Sequence, residues 1–103
     1  VEGKGTMFPL PSFIVNLADV GGNRFIKVTF QLELSNGRLA EEITKRLPQV
    51  QDQIITVLSS KKMEDVTDAD GKFKLKSEIM RRLNQFMTTG AVSNIYYTEF
   101  VVQ

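Results

Sequence analysis

The segment RFIKVTFQLEL, residues 24–34, constrains the fold more than any other part of the chain. Apolar residues occupy every second position, and polar residues lie between them. The apolar positions are Ile26, Val28, Phe30, Leu32 and Leu34. A period of two places the two sets on opposite faces of a β-strand. One face therefore belongs to a core and the other meets water, an arrangement that antiparallel sheets tolerate.

Two more strands are predicted beside this one. Pro9 and Pro11 in MFPLPSFIVNL hold the chain extended, and residues 13–17 continue it as a strand. Gly21 and Gly22 provide a turn, because glycine adopts positive φ freely, so the first two strands form a hairpin. The C-terminal segment IYYTEFVV is apolar on both faces of a regular strand, which favours a central position in the sheet.

The period changes to that of an amphipathic helix after residue 35. Apolar residues recur in steps of three and four from Leu39 to Leu58, and Asn36 is a suitable N-cap. Pro48 lies inside this pattern and removes one helical hydrogen bond. We therefore expect the first helix to be kinked or broken near Pro48.

A second helix is predicted after the interruption SSKKMEDV. Its apolar face is formed by Leu75, Ile79, Leu83 and Phe86. Thr67 and Asp70 resemble a capping box at its start, and Gly90 is placed as its C-terminal stop. The predicted fold is a single α+β domain of order ββααβ, with a three-stranded, mostly antiparallel sheet packed against two main helices.

Composition limits the chemistry that this chain offers. It contains neither histidine nor cysteine, so the usual general base, zinc ligand and disulfide are all missing. Its paired acids, such as Glu41 and Glu42, are typical of a surface, with no apolar pocket to separate their pKa values. The formal charge of +1 provides no overall field toward nucleic acid. The sequence predicts no catalytic residue, no cofactor site and no nucleic-acid partner.

The motif DADG, residues 68–71, resembles part of a calcium-binding EF-hand loop. With Gly71 at the sixth position, Asp68 and Asp70 occupy the third and fifth. However, Val66 takes the first position and Ser77 the twelfth, which removes the first carboxylate and the bidentate ligand. A capped helix start explains the motif better, and no metal site is predicted.

Two groups of residues are candidates for a protein interface. Lys74 leaves the helix face that Lys72 and Lys76 share, so the three lysines favour a solvated face over a protein contact. Arg81 and Arg82 are the better candidates for a contact. In MFPLP, Phe8 and Leu10 either pack on the domain or form an exposed apolar strip for a partner or a second copy.

Five stretches together resemble a known family, in order and in spacing: PSFIVNLAD, RFIKVTFQLEL, RLPQVQDQIITVLSSKKMEDV, GKFKLKSEIMRRLN and IYYTEFVVQ. They are similar to the periplasmic domain of the flagellar basal-body-associated FliL family over residues 9–103. The pieces NLAD, SSK, GK and the terminal FVVQ carry most of the resemblance. The family has no catalytic or ligand motif to transfer.

The resemblance implies a bacterial inner-membrane protein with one N-terminal transmembrane helix, absent from this chain, and a periplasmic domain similar to stomatin and prohibitin. Residues 1–8, which begin with the small and polar VEGKGT, would be a flexible lead-in from that anchor, and residues 9–103 the domain. It also implies a homo-oligomeric ring around stator units (MotA and MotB) at the flagellar basal body, with a role in swimming, swarming and chemotaxis.

Two alternatives remain open at this point. One is a stomatin-like membrane scaffold outside the motor. The other is a small ligand- or nucleic-acid-binding domain, which a deep pocket or a continuous basic groove would favour.

Overall fold

The structure, a computed structural model, describes residues 5–103. Its elements in chain order are strands β1 (Thr6–Pro9), β2 (Phe13–Asn16) and β3 (Phe25–Leu34), helices α1 (Gly37–Lys45), α2 (Leu47–Ser59), α3 (Met63–Val66) and α4 (Ala69–Asn84), and strand β4 (Val92–Val102). The predicted α+β domain with an antiparallel sheet is confirmed. The predicted order ββααβ lacks one strand and two helices of this arrangement.

Strand β3 lies in the centre of the sheet. Strand β4 pairs with one side of β3, while β1 and β2 lie end to end along the other side, all antiparallel to it. The sheet is therefore three strands wide. On one side of β3 the neighbouring strand consists of two segments, β1 and β2, which are separated by Leu10–Ser12. Leu10 donates to the Phe30 carbonyl at 3.1 Å, and Pro9 and Pro11 on either side of it have no N–H to offer at the outer edge.

Part of the predicted lead-in belongs to the sheet. Residues 6–8 pair with Leu34, Glu33 and Leu32 as strand β1, so the domain begins earlier than residue 9. Residues 1–4 of the lead-in lie outside the described residues. The predicted turn at Gly21 and Gly22 is confirmed, with φ of 98° and 66°.

The core lies between one face of the sheet and the helices. The five alternating apolar side chains of β3 are fully buried there, as their spacing predicts. Each helix contributes apolar residues to the same core: Leu39 and Ile43 from α1, Val50, Ile54, Val57 and Leu58 from α2, Val66 from α3, and Leu75, Ile79 and Leu83 from α4. The opposite face of the sheet carries no helix among the described elements.

The prediction that the C-terminal strand is central is wrong. Strand β4 is paired with β3 only and lies at the edge of the sheet. Register shifts between Thr29 and Phe30 and between Glu33 and Leu34 leave Thr98 and Ser93 without a partner in β3. Each shift reverses the alternation along β4, so that residues of both parities reach the core face. Ile95, Tyr97 and Phe100 all lie opposite buried residues of β3.

The predicted break near Pro48 is confirmed. Helix α1 ends at Lys45, and α2 begins at Leu47 with Pro48 in its first turn, where the missing N–H costs no helical bond. Asn36 is the predicted N-cap, and its side-chain oxygen accepts from the Leu39 N–H at 3.1 Å.

The predicted ends of the last helix are wrong at both sites. Asp68, and not Thr67, caps α4, because its carboxylate accepts from the Gly71 N–H at 2.7 Å. The helix ends at Asn84, so Gly90 lies several residues beyond its C-terminus. At Gly90 the chain passes close to Ser35 and Asn36, and an added Cβ would lie 2.6 Å from the Ser35 hydroxyl oxygen.

Candidate interaction surfaces

The calcium-like motif forms the junction between α3 and α4. Asp68 caps α4, and Asp70 pairs with Lys74 one turn later at 3.1 Å. At Gly71 the backbone of α4 approaches the Asp65 carbonyl so closely that a Cβ would overlap it. Among residues 5–103, no three acidic side chains converge as they would around a cation. Asp68, Asp70 and Gly71 therefore each have a structural role at this junction.

Glu42 is more deeply buried than a surface acid. It is only 8% exposed, although the sequence suggested a solvated pair with Glu41. Its carboxylate accepts from the backbone N–H and the hydroxyl of both Thr88 and Thr89, at distances of 2.7–3.0 Å. Arg46 lies 3.4 Å away on the same helix. These bonds attach α1 to the segment between α4 and β4.

The same hydrogen bonds lower the pKa of Glu42. The Thr89 hydroxyl bond has the largest effect, and with the other donors it outweighs burial and brings the pKa from 4.5 to about 2. The folded state thus favours the ionised carboxylate. Its contribution to stability is present above about pH 4.5 and is lost as the pH falls toward 2.

We expect Glu42→Gln to lower the melting temperature at pH 7 by roughly 5–10 °C, because one acceptor and the charge are removed. The difference from the parent should shrink as the pH falls toward 2, where the parent carboxylate also becomes protonated. Thermal unfolding by circular dichroism between pH 2 and 7 measures this difference. The exposed neighbour Glu41→Gln is the matched control, and a loss equal in the two variants would contradict the assignment.

The two candidate arginines lie in different surroundings. Arg81 is exposed on α4. Arg82 is half-buried, donates to the Gln53 side chain at 3.2 Å and lies 3.9 Å from Glu78, so it connects α4 to α2. An open cleft of about 490 Å³ lies beside this contact and is lined by Arg46, Pro48, Gln49, Asp52, Gln53 and Phe86. Arg81 is therefore the exposed member of the pair and the better placed to contact a partner.

The apolar candidates at the N-terminus face the core. Leu10 is 4% exposed and is part of the core, and Phe8 is half-buried against it. Of the two interpretations of MFPLP, the structure thus shows packing on the domain for these two residues. Met7, between them and Thr6 in β1, points to the opposite face of the sheet and is exposed.

That opposite face is the surface that sequence reasoning missed. It carries exposed apolar side chains from all four strands: Met7, Ile14, Phe25, Tyr96 and Val101. Polar contacts run between them, with Ser12 bonded to Thr29 at 2.7 Å and Thr29 to Glu99 at 3.2 Å. Tyr96 donates to Glu33 at 2.6 Å, which raises the pKa of the Tyr96 hydroxyl. One signal was present in the sequence, since Ile14 is apolar between the two core residues Phe13 and Val15.

Two lysines of α4 lie over aromatic rings of β4. The Lys72 ammonium is 4.8 Å from the centroid of the Phe100 ring, and Lys76 is 5.7 Å from that of Tyr97. The Tyr97 hydroxyl donates to the Lys72 carbonyl at 2.7 Å, and burial raises its pKa. As the helical spacing predicts, Lys74 leaves the face that Lys72 and Lys76 share: it pairs with Asp70, while the other two lie along β4.

The family of this chain follows from comparison with known proteins. The family model described as "Flagellar basal body-associated protein FliL" matches residues 7–103. This chain belongs to the FliL family. The match covers nearly all of the chain, so the resemblance seen in the sequence is confirmed, and the FliL family is a family of flagellar accessory proteins and not of enzymes.

Several curated FliL relatives are similar to the chain. "Flagellar protein FliL" of Aquifex aeolicus is 38% identical over 96% of this chain and 62% of its own length. "Flagellar FliL protein" of Caulobacter vibrioides is 29% identical over 92% of this chain and 47% of its own length. "Flagellar protein FliL" of Bacillus subtilis is 28% identical over 99% and 76%. The chain thus spans about half to three quarters of these FliL relatives.

The FliL match makes this domain part of a flagellar basal-body-associated protein. Within residues 5–103, none of the helices combines the length and the apolarity that crossing a membrane requires.

Proposed function

We propose that this FliL-family domain is a non-enzymatic periplasmic scaffold that supports the stator units of the flagellar motor in swimming, swarming and chemotaxis. The one-sided packing of the sheet carries the proposal. Helices cover one face, and the other exposes five large apolar side chains to solvent. Clustered exposed apolar residues mark protein contacts, and the acidic groups that suggested chemistry are engaged in helix caps and loop attachment.

The scaffold would be held at the membrane by a transmembrane helix that precedes this domain. Such a protein would cross the inner membrane once and place this domain in the periplasm. Anchoring confines the copies to two dimensions and raises their effective concentration. A ring that is stable in the membrane is therefore compatible with an isolated domain that is monomeric or weakly self-associating. A stomatin-like mode of assembly remains part of this proposal.

The partners would be stator proteins of the MotA and MotB type. A ring that binds only the extended state of a periplasmic linker in the stator would increase the population of that state, since a ligand shifts an equilibrium by its difference in affinity for the two states. The scaffold needs no catalytic group for this role. Binding energy alone supports the active form of the stator.

The test is a charge reversal on the full-length protein in its own cell. Arg81→Glu is expected to reduce swimming and swarming expansion in soft agar and to reduce co-purification with the stator, because Arg81 is exposed and its charge is available to a partner. The melting temperature of the domain should change by less than about 2 °C, since exposed charges contribute little to folding. Arg82→Glu is expected to lower the melting temperature as well, because it breaks the contact with Gln53.

Lys45→Glu is the matched control. It reverses an exposed cation on α1, away from the apolar sheet face. Motility and stator recovery that stay normal in a gene deletion, at low and at high viscosity, would refute the motor role and favour a scaffold outside the motor. A silent Arg81→Glu in a strain whose deletion is immotile would move the contact to another surface.

A further inference from the structure

The outer side of strand β4 is an unpaired edge from Tyr97 to Val102, whereas at the start of the strand the Asn84 side chain bonds the backbone N–H and C=O of Val92. Phe25 and Gln103 exchange both backbone hydrogen bonds, at 3.0 and 2.8 Å, which fixes the phase of the ladder between β3 and β4. In an antiparallel pair such positions alternate with positions whose N–H and C=O point away from the partner. Val102 and Phe100 take these outward positions, opposite Ile26 and Val28. Past the shift at Thr98, Tyr97 resumes the outward phase, opposite Phe30.

This edge is the more accessible of the two. Strand β4 is 11 residues long, whereas the other edge is divided into two strands of four residues each. Pro9 and Pro11 also remove donors there, and proline commonly protects an edge from further pairing. Within residues 5–103, no strand other than β3 pairs with β4.

Cationic and apolar side chains border the β4 edge. Lys72 and Lys76 lie over the rings of Phe100 and Tyr97, at the positions whose backbone groups point outward. Neither lysine forms an ion pair with a carboxylate among residues 5–103, unlike Lys74. Phe73 is 64% exposed and shares the helix surface with Lys76, three residues along α4.

We propose that the outer edge of β4 binds an extended acidic segment of a partner protein by strand addition. Backbone bonds to Tyr97, Phe100 and Val102 would hold the segment, and its carboxylates would face Lys72 and Lys76. The apolar side chains that alternate with them would lie on the opposite sheet face, beside Tyr96 and Val101. The proposal deepens the proposed function, because it supplies a site at which the scaffold binds an extended linker.

A second copy of the chain fits this edge less well than an acidic segment does. Antiparallel pairing of β4 with its own copy around a two-fold axis places both α4 helices on the same face of the joined sheet. The lysines of each copy would then approach those of the other, and like charges across paired strands are destabilising. Charge complementarity therefore favours an acidic partner segment over self-pairing.

The first experiment uses the 103-residue chain and synthetic eight-residue peptides that alternate valine with glutamate. We expect binding that protects the amides of Tyr97, Phe100 and Val102 from hydrogen exchange, followed by NMR. A peptide with lysine in place of glutamate should bind at least about tenfold more weakly. N-methylation of alternate peptide residues should abolish binding when it removes the donors on the paired edge, and should preserve binding when it removes those on the other edge.

The second experiment changes the protein. Lys72→Glu combined with Lys76→Glu should weaken the acidic peptide by at least about tenfold, whereas Lys74→Glu, on another side of α4, should leave its affinity within about twofold. Circular dichroism at the peptide-binding temperature confirms that each variant is folded.

Three results would overturn the proposal. The acidic peptide could fail to bind at millimolar concentration, or its binding could be the same whichever of its two edges is N-methylated. The third is that NMR chemical-shift changes on binding are confined to Ile14, Phe25 and Val101 on the sheet face opposite the helices. Dimerisation that buries β4 would assign the edge to a second copy and equally overturn it. The proposed function is tested separately by stator recovery in the full-length strain. If the peptide binds but the full-length protein does not co-purify with the stator, the motor role alone is refuted. If the double lysine variant co-purifies with the stator as well as the parent does, the edge site alone is refuted.

Discussion

Phe30→Ala is expected to destabilise this domain by about 3–5 kcal/mol, a large part of the roughly 5–15 kcal/mol that stabilises a domain of ordinary size. Phe30 is fully buried at the centre of β3. Its ring packs edge-on against Phe13, with ring centroids 5.9 Å apart, and in a tilted arrangement against Tyr97, with centroids 5.5 Å apart. Removing the ring therefore leaves a cavity between the sheet and the helices, next to side chains of β2 and β4.

Urea unfolding followed by circular dichroism measures this change as a shift in the midpoint at constant slope. Phe25→Ala is the matched control, because it removes the same ring from the same strand on the opposite face, where it is 37% exposed. We expect it to cost less than about 1 kcal/mol. Equal losses in the two variants would mean that the assigned core face of β3 is wrong.

Gly71→Ala is expected to destabilise the domain by about 1–3 kcal/mol, although alanine is the better helix former. The added Cβ would overlap the carbonyl oxygen of Asp65, which is backbone and has no rotamer to adopt. Helices α3 and α4 would have to separate, and the hydrogen bond from the Gly71 N–H to the Asp68 carboxylate would be strained.

Gly37→Ala tests the same substitution where space is available. Gly37 is the first residue of α1, and no heavy atom lies within 4 Å of its added Cβ. We expect it to stabilise the domain by about 0.4–1 kcal/mol, because alanine restricts the unfolded chain. Thermal unfolding of both variants measures the contrast, and stabilisation by Gly71→Ala would exclude the close approach of α3 and α4.

The calcium-like motif illustrates why local similarity misleads. Asp68, Asp70 and Gly71 match three loop positions, and each is required by the junction for another reason: a cap, an ion pair and a close approach. Sequence reasoning rejected the metal from the missing first and twelfth ligands. It assigned the cap to Thr67 and not to Asp68. The neighbouring side chains can both act as caps, and only the structure shows which of them reaches the first free N–H groups of the helix.

The candidate interface was only partly accessible to prediction. Arg81 is exposed, as the sequence suggested. Arg82 instead contacts Gln53 of another helix, 29 residues earlier in the chain, and local sequence does not reveal such a contact. The open sheet face and the β4 edge depend on which strands pair, which the pattern of a single strand does not specify. Within β2, the only local sign of the open sheet face is Ile14, an apolar residue at a position that the alternation assigns to the solvent-facing side.

The sequence by itself determined the features that local periodicity and backbone chemistry encode. Alternation made β3 a strand with one buried face, Pro48 divided the first helix, and Asn36 capped it. Only the tertiary structure decided that β4 lies at the edge, because it pairs with β3 alone, and that two register shifts bring Ile95, Tyr97 and Phe100 to the same core face. It also decided the burial of Glu42, since the donors that lower its pKa lie 46 and 47 residues away. Local patterns specify what each segment prefers, and packing between distant segments specifies which of those surfaces meet.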